Sequence, residues 1–169
     1  PKSGLYCSTE AEEAIEDFKA VRDKFHQESG NEAVHIVQSW SPDESARLQP
    51  WQFNDMGHEL AKAYFPGYQF IIATHTDKNH IHNHIVVNTV NFETGKRIPN
   101  KFKHWHELTK INDQICLANG LSVINEKARS RIGKMPDKVQ RMDRFGRFSY
   151  LMDTRQKADF ARMFATSYD

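Results

Sequence analysis

The sequence predicts an α+β domain, with a central antiparallel sheet, helices packed on one face and a site on the other. Three observations carry this. The β-type runs 33–40 (AVHIVQSW), 68–75 (YQFIIATH) and 84–91 (HIVVNTVN) are short and rich in branched residues. The last two are joined by a short polar loop, with no crossover helix between them, so they pair antiparallel. The intervening segments carry apolar residues at spacings of three and four, the mark of helices with one buried stripe.

Taken in order, Ala11, Ala14, Phe18, Val21 and Phe25 define a first amphipathic helix over 9–28, with Ser8 or Thr9 as its cap and Ser29-Gly30 as its end. Strand 33–40 follows. Pro50 suits a first helical position, and Phe53, Met56, Gly57, Leu60 and Tyr64 continue a second helix that Pro66-Gly67 closes. After the hairpin and a turn at Thr94-Gly95, Leu108, Ile111, Ile115 and Ala118 mark a third helix ending at Asn119-Gly120. The run LSVI (121–124) is expected to rejoin the sheet. Residues 125–149 are basic and aperiodic and read as a mobile arm, and Asp153 caps a last helix bearing Phe160 and Phe164. No internal repeat is visible.

A length of 169 residues fits a single domain spanning 1–169. No apolar stretch approaches the roughly 20 residues needed to cross a bilayer, so membrane insertion is not expected. Cys7 and Cys116 are far apart and have no partner at metal-ligand spacing, which excludes a disulfide framework and a cysteine zinc knuckle and makes a reducing cytoplasm the expected location. The opening PKSGLYCSTE has neither the layout of a secretory signal nor an initiating Met, as in a trimmed chain.

The net charge of +1 conceals an asymmetry. Residues 1–66 hold six Lys or Arg against twelve acids, whereas residues 96–147 hold thirteen against five, interleaved with Phe102, Trp105, Phe145 and Phe148. Basic charge with interspersed aromatics suits phosphate neutralisation and base stacking on a single strand, although an ordinary solvated surface has the same composition.

The chemistry concentrates in the hairpin. With its loop centred between Lys78 and Asn79, residues whose numbers sum to 157 lie opposite one another, so His75 faces His82 and His84 shares their side. Ala73, His75, His82, His84, Val86 and Asn88 then form one face, and Phe70, Ile72, Ile85 and Val87 the other. Three imidazoles within one or two residue spacings are a divalent-metal site with positions left open for substrate oxygens or water. Asp77, in the adjoining loop, is placed to accept a hydrogen bond from a ligand ring, its alternative being a turn residue. His80 is either a further ligand or a loop histidine.

The string HTDKNHIHNHIVVNTV, followed by NFETGKRI, resembles the third motif of conjugative and mobilisation relaxases of the histidine-hydrophobe-histidine nuclease superfamily, with His75, Asp77, His82, His84 and Asn88 at the matching positions. KSGLYCSTEAEEAIEDF is similar to the family's Ser-Gly and helix segment, and VHIVQSW to its second motif, through His35 and Ser39. The resemblance runs from about residue 3 to about residue 97.

The resemblance implies a metal-dependent endonuclease that nicks single-stranded DNA at a plasmid or integrative-element transfer origin by transesterification and later rejoins it. Mg or Mn would act in function, with Zn, Ni or Co compatible with imidazole ligands. His75, His82 and His84 would hold the ion, Asp77 would serve the catalytic set, and Ser39, Lys96 and Arg97 would contact DNA. Accessory relaxosome and coupling proteins are further implied partners. The family's nucleophilic tyrosine is expected upstream of Pro1, since Tyr6 follows the Ser-Gly stretch and Tyr64 and Tyr68 occupy core or strand positions. The rival readings are a histidine-triad nucleotide hydrolase, through the alternation from His80 to Val86, a rolling-circle initiator or transposase with the same metal hairpin, and a DNA-binding module without catalysis.

Overall fold

The computed structural model describes residues 1–27, 29–98, 105–124 and 149–152, the side chains of Trp105 and of 149–152 excepted. The elements in chain order are β1 (Lys2–Leu5), α1 (Ala11–Lys24), β2 (Ala33–Ser39), α2 (Pro42–Ser45), α3 (Pro50–Tyr64), β3 (Tyr68–His75), β4 (His82–Asn91), α4 (Trp105–Ala118) and β5 (Ser149–Met152). The five strands form one sheet in the order β1-β3-β4-β2-β5, and every neighbouring pair is antiparallel.

The β3–β4 hairpin has the register read from its loop: His75 pairs His82, Ala73 pairs His84 and Ile72 pairs Ile85, down to Phe70 with Val87, before an irregularity between Tyr68 and Phe70. Because side chains alternate, this register divides the sheet into two chemically distinct faces. One face carries Val34, Ile36, Phe70, Ile72, Ile85 and Val87, which pack with Phe53, Met56 and Leu60 of α3 and Leu108 and Ile115 of α4 into the main core. Burying such aliphatic and aromatic side chains contributes about 1.5–3 kcal/mol each, the dominant favourable term here.

The helices α3 and α4 thus lie beneath one face and the histidines on the other, as the α+β reading has it. The helix α1 adds a partial cover on the histidine side: Ala11, Ala14 and Phe18 pack on Ala33, Ile71, Ala73 and Val86. These apolar residues share the histidines' parity, and leaving them in water would forfeit their burial. Only part of that face is therefore open.

A continuous polar chain crosses the core just under the histidines. Gln38 donates to Asn112 (2.7 Å), Asn83 donates to Gln38 (2.9 Å) and to the Phe53 carbonyl (2.7 Å), Thr74 donates to Asn83 (2.7 Å), and Asn54 donates to Thr74 (2.9 Å) and to the Pro1 carbonyl (3.3 Å). It joins β2, β4 and β3 to both core helices and to the start of β1. A Cβ at Gly57 would lie 2.5 Å from Asn83 Nδ2, so the helix approaches the strand closely only because residue 57 has no side chain.

Several expectations need correction. The first helix begins at Ala11, because Ser8 accepts from the Glu10 amide (3.1 Å) before any helical turn has formed, and it ends at Lys24, well before Gly30. Residues 121–124 are not a strand: the Ser122 amide and hydroxyl are both taken by the Glu44 carboxylate (2.6 and 2.7 Å), so the segment docks beside α2 and its backbone donor is spent on a side chain. The neighbour of β2 at that edge is β5. The short helix α2, capped by Ser41 (Glu44 amide to Ser41 Oγ, 3.3 Å), was not expected. The basic arm over 125–149 and the helix after Asp153 lie outside the described residues, apart from Ser149, which opens β5.

Candidate metal centre

The end of the β3–β4 hairpin presents His75, His82 and His84 together. Cross-strand pairing brings His75 against His82, and His84, two residues along β4, follows on the same side. The ring centroids are 5.2 Å apart for His75–His82, 4.7 Å for His75–His84 and 5.1 Å for His82–His84. Each ring offers one nitrogen such that the three lie within 4.8 Å of one another. Two nitrogens on a common ion at about 2.1 Å are at most about 4.2 Å apart, so ligation requires side-chain movement of about 1 Å.

His75 and His82 are buried and His84 is partly buried. Burial, the neighbouring imidazoles and Lys78 push His84 down to about 2, and burial, His75 and Lys78 push His82 down to about 4. Both rings are therefore neutral at pH 7, the form that ligates metals. The Nδ1 atom of His82 is buried without a hydrogen-bond partner, a condition that normally costs about 1–3 kcal/mol and that a cation would relieve. The donor set of nitrogens in a preformed cup fits a divalent transition metal.

Behind His84 stands His35, from the adjoining strand β2. Its Nε2 lies 2.8 Å from His84 Nδ1, with the rings stacked at 5.0 Å and 20°. His35 is 2% exposed, and burial lowers it to about 4. The sequence marked His35 only as a motif position. Its contact with His84 depends on the β2–β4 register, in which Val37 pairs His84 and Ser39 pairs His82, and nothing local to either strand reveals that register.

The remaining anticipated residues are distributed unevenly. Ser39 is half-buried on the histidine face beside His82. Asp77 is 62% exposed, with its Oδ1 3.9 Å from His75 Nδ1, beyond hydrogen-bond range but within ion-pair range. His80 precedes β4 in the loop, hydrogen-bonds Asn79 (3.1 Å) and has its ring 5.4 Å from that of His82. Lys96 and Arg97 are at the opposite end of the sheet, where Arg97 bridges Val90. Asn91 lies nine residue steps along β4 from His82, about 30 Å of strand. Lys96 is exposed, whereas Arg97 donates to the Gln27 carbonyl (3.3 Å), the Asn31 carbonyl (2.5 Å) and Thr89 (3.3 Å). Tyr6, Tyr64 and Tyr68 also lie toward that far end: Tyr6 packs on Phe92 with the rings tilted at 40°, and Tyr68 donates to the Lys96 carbonyl.

A three-imidazole cup on an antiparallel hairpin, next to a partly covered sheet face, is a candidate metal site on an α+β scaffold. Residues 2–121 match the family described as relaxase, MobA/VirD2-like, nuclease domain, and the chain belongs to that family. Among the relatives is a Protein rlx of Staphylococcus aureus, 40% identical over 130 residues, which are 77% of this chain and 38% of the relative. Another Protein rlx of the same species is 43% identical over 122 residues, 72% of this chain and 37% of the relative. The group II intron-interrupted relaxase LtrB of Lactococcus lactis subsp. cremoris is 35% identical over 100 residues, covering 59% of this chain and 17% of the relative. The match therefore spans less than two fifths of the length of each of these relatives. No solved structure matches. Among the described residues, no helix is long and apolar enough to cross a membrane.

Proposed function

We propose that this chain is the metal-dependent nicking domain of a relaxase, acting on one DNA strand at the transfer origin of a plasmid or integrative element. The observation that carries this reading is the cup of His75, His82 and His84, with ligand atoms within 4.8 Å in a relaxase-family chain. A divalent cation held there would supply Lewis acidity and a template for the oxygens of the scissile phosphate, with Mn or Mg in function. The chain's own residues do the rest. The three imidazoles would present lone pairs to the ion, Ser39 stands beside His82 for the sugar-phosphate backbone, and exposed Lys96, beyond the end of β4, serves a phosphate outside the scissile step. Asp77 adds negative charge near His75 at ion-pair range.

The reaction is a transesterification. A tyrosine phenolate oxygen forms a bond to phosphorus as the bond to the 3′ oxygen breaks, and the departing 3′ oxygen takes up a proton, so the phosphodiester energy is retained for rejoining. We assign that tyrosine, by the resemblance to relaxases, to a position ahead of the Ser3-Gly4 stretch. The direction of β1 supports this placement, because the Pro1 carbonyl accepts from the Thr74 amide (2.9 Å), one residue before His75. Chain entering β1 from upstream arrives at the histidine end of the sheet, whereas Tyr6 leaves β1 at the other.

The test is a denaturing gel of labelled single-stranded origin DNA incubated with Mn and the protein carrying its native upstream segment. A DNA–protein adduct is expected, lost on chelation and at least 100-fold weaker in His82→Ala. Cleavage by His82→Ala at the wild-type rate would refute the metal reading, and tight binding without an adduct would instead favour a DNA-binding module.

A further inference from the structure

We propose that His35 is a positioning residue of the metal centre, which accepts the Nδ1–H of His84 and thereby holds the His84 ring with Nε2 toward His75 and His82. This rests on the metal reading of the cup.

At 2.8 Å, the His35 Nε2···His84 Nδ1 contact contains one hydrogen. An imidazole that ligates a metal is neutral and carries a single N–H. One nitrogen of His84 is already engaged by His35, and the nitrogen available for ligation is Nε2, which requires the proton of His84 to sit on Nδ1. His84 is then the donor and His35 Nε2 the acceptor, which fixes the proton of His35 on its own Nδ1. The chain of tautomers follows from ligation, with no proton left to choice.

The two flanking ligands are supported differently. His75 has a carboxylate at 3.9 Å that is largely in solvent, whereas His84 has a neutral ring at hydrogen-bond distance, itself 2% exposed. A partner locked by burial orients a ligand more firmly than a solvated one, and outer partners of this kind typically change metal affinity 10–100-fold. Being uncharged, His35 does this without adding negative charge next to the anionic phosphate.

Volume and hydrogen bonding are separated by two substitutions. His35→Phe keeps the buried volume but removes the acceptor, and His35→Gln returns a terminal carbonyl oxygen near the position of Nε2. Co(II) titration of the protein alone, followed by its visible absorption and by competition with a chelator, gives the affinity, with thermal melts of the metal-free proteins as a control. Affinity is expected to fall 10–100-fold in His35→Phe and to return to within about threefold of wild type in His35→Gln. Long-range 15N correlation spectra of the Zn-loaded wild type are expected to show His84 as the Nδ1–H tautomer with a ligated Nε2. Equal affinities for wild type and His35→Phe, or ligation of His84 through Nδ1, would overturn the proposal while leaving the metal reading intact. A wild-type protein that binds no Co(II) would overturn both.

Discussion

Asn83 and its neighbours His82 and His84 sit side by side on β4 and face opposite ways, and the two faces treat buried polar groups differently. Below the sheet, Asn83 is fully buried and is bonded to Gln38, Phe53 and Thr74, in a chain extended by Asn112 and Asn54. Above it, His82 keeps a buried nitrogen with no partner, and His75, His82 and His84 turn nitrogens toward one another. A closed network is a structural device, because every bond it makes is internal. An open one has valences that only a ligand can fill, and its cost is borne until that ligand arrives.

Opening the closed face costs the fold most. Asn83→Ala leaves Gln38 Oε1, the Phe53 carbonyl and Thr74 without their partner and is expected to cost about 4 kcal/mol in urea unfolding. His82→Leu in the metal-free protein, by contrast, should leave stability within about 1 kcal/mol of wild type, because it removes a group that was already unsatisfied. If the two substitutions cost the same, the distinction between the faces fails.

Acid provides a second, smaller perturbation. His35 and His82 at about 4 and His84 at about 2 all lie below the ordinary value near 6.5. Between those limits the unfolded chain binds protons that the folded chain refuses, so stability decreases as pH falls below about 6.5 and is flat above about 7. The expected loss is of the order of 1 kcal/mol per ring by pH 5, read from chelated protein as a falling melting temperature. His84→Phe should reduce that slope.

The smallest effect is assigned to Asp77. At 3.9 Å from His75 and mostly solvated, its carboxylate is screened, and Asp77→Asn should weaken Co(II) binding by no more than about threefold. A larger loss would mean that the loop closes on the ligand when metal binds.

What the sequence could reveal follows the range of each interaction. The hairpin register, and with it the face shared by His75, His82 and His84, was legible because a short loop and a period of two determine it locally. The role of His35 was not, since the residues in contact are 49 apart and meet only through the pairing of β2 with β4. The run 121–124 has strand composition, yet the fate of its amide is decided by Glu44, 78 residues away. The family resemblance marked Arg97 but could not show that its guanidinium is engaged by the carbonyls of Gln27 and Asn31.

The ladder around the ligands has a consequence for how an ion would arrive and depart. Both β3 and β4 are interior strands, each bonded on two sides, so the segments bearing the three imidazoles are among the last to open. In small zinc-folded domains chelation unfolds the chain, because the ligands are gathered by the ion itself. Here the scaffold gathers them first. Ion uptake then needs only side-chain adjustment on a backbone already set, with little surface removed from water, a correspondingly small change in heat capacity, and exchange of one ion for another without any excursion through an unfolded state.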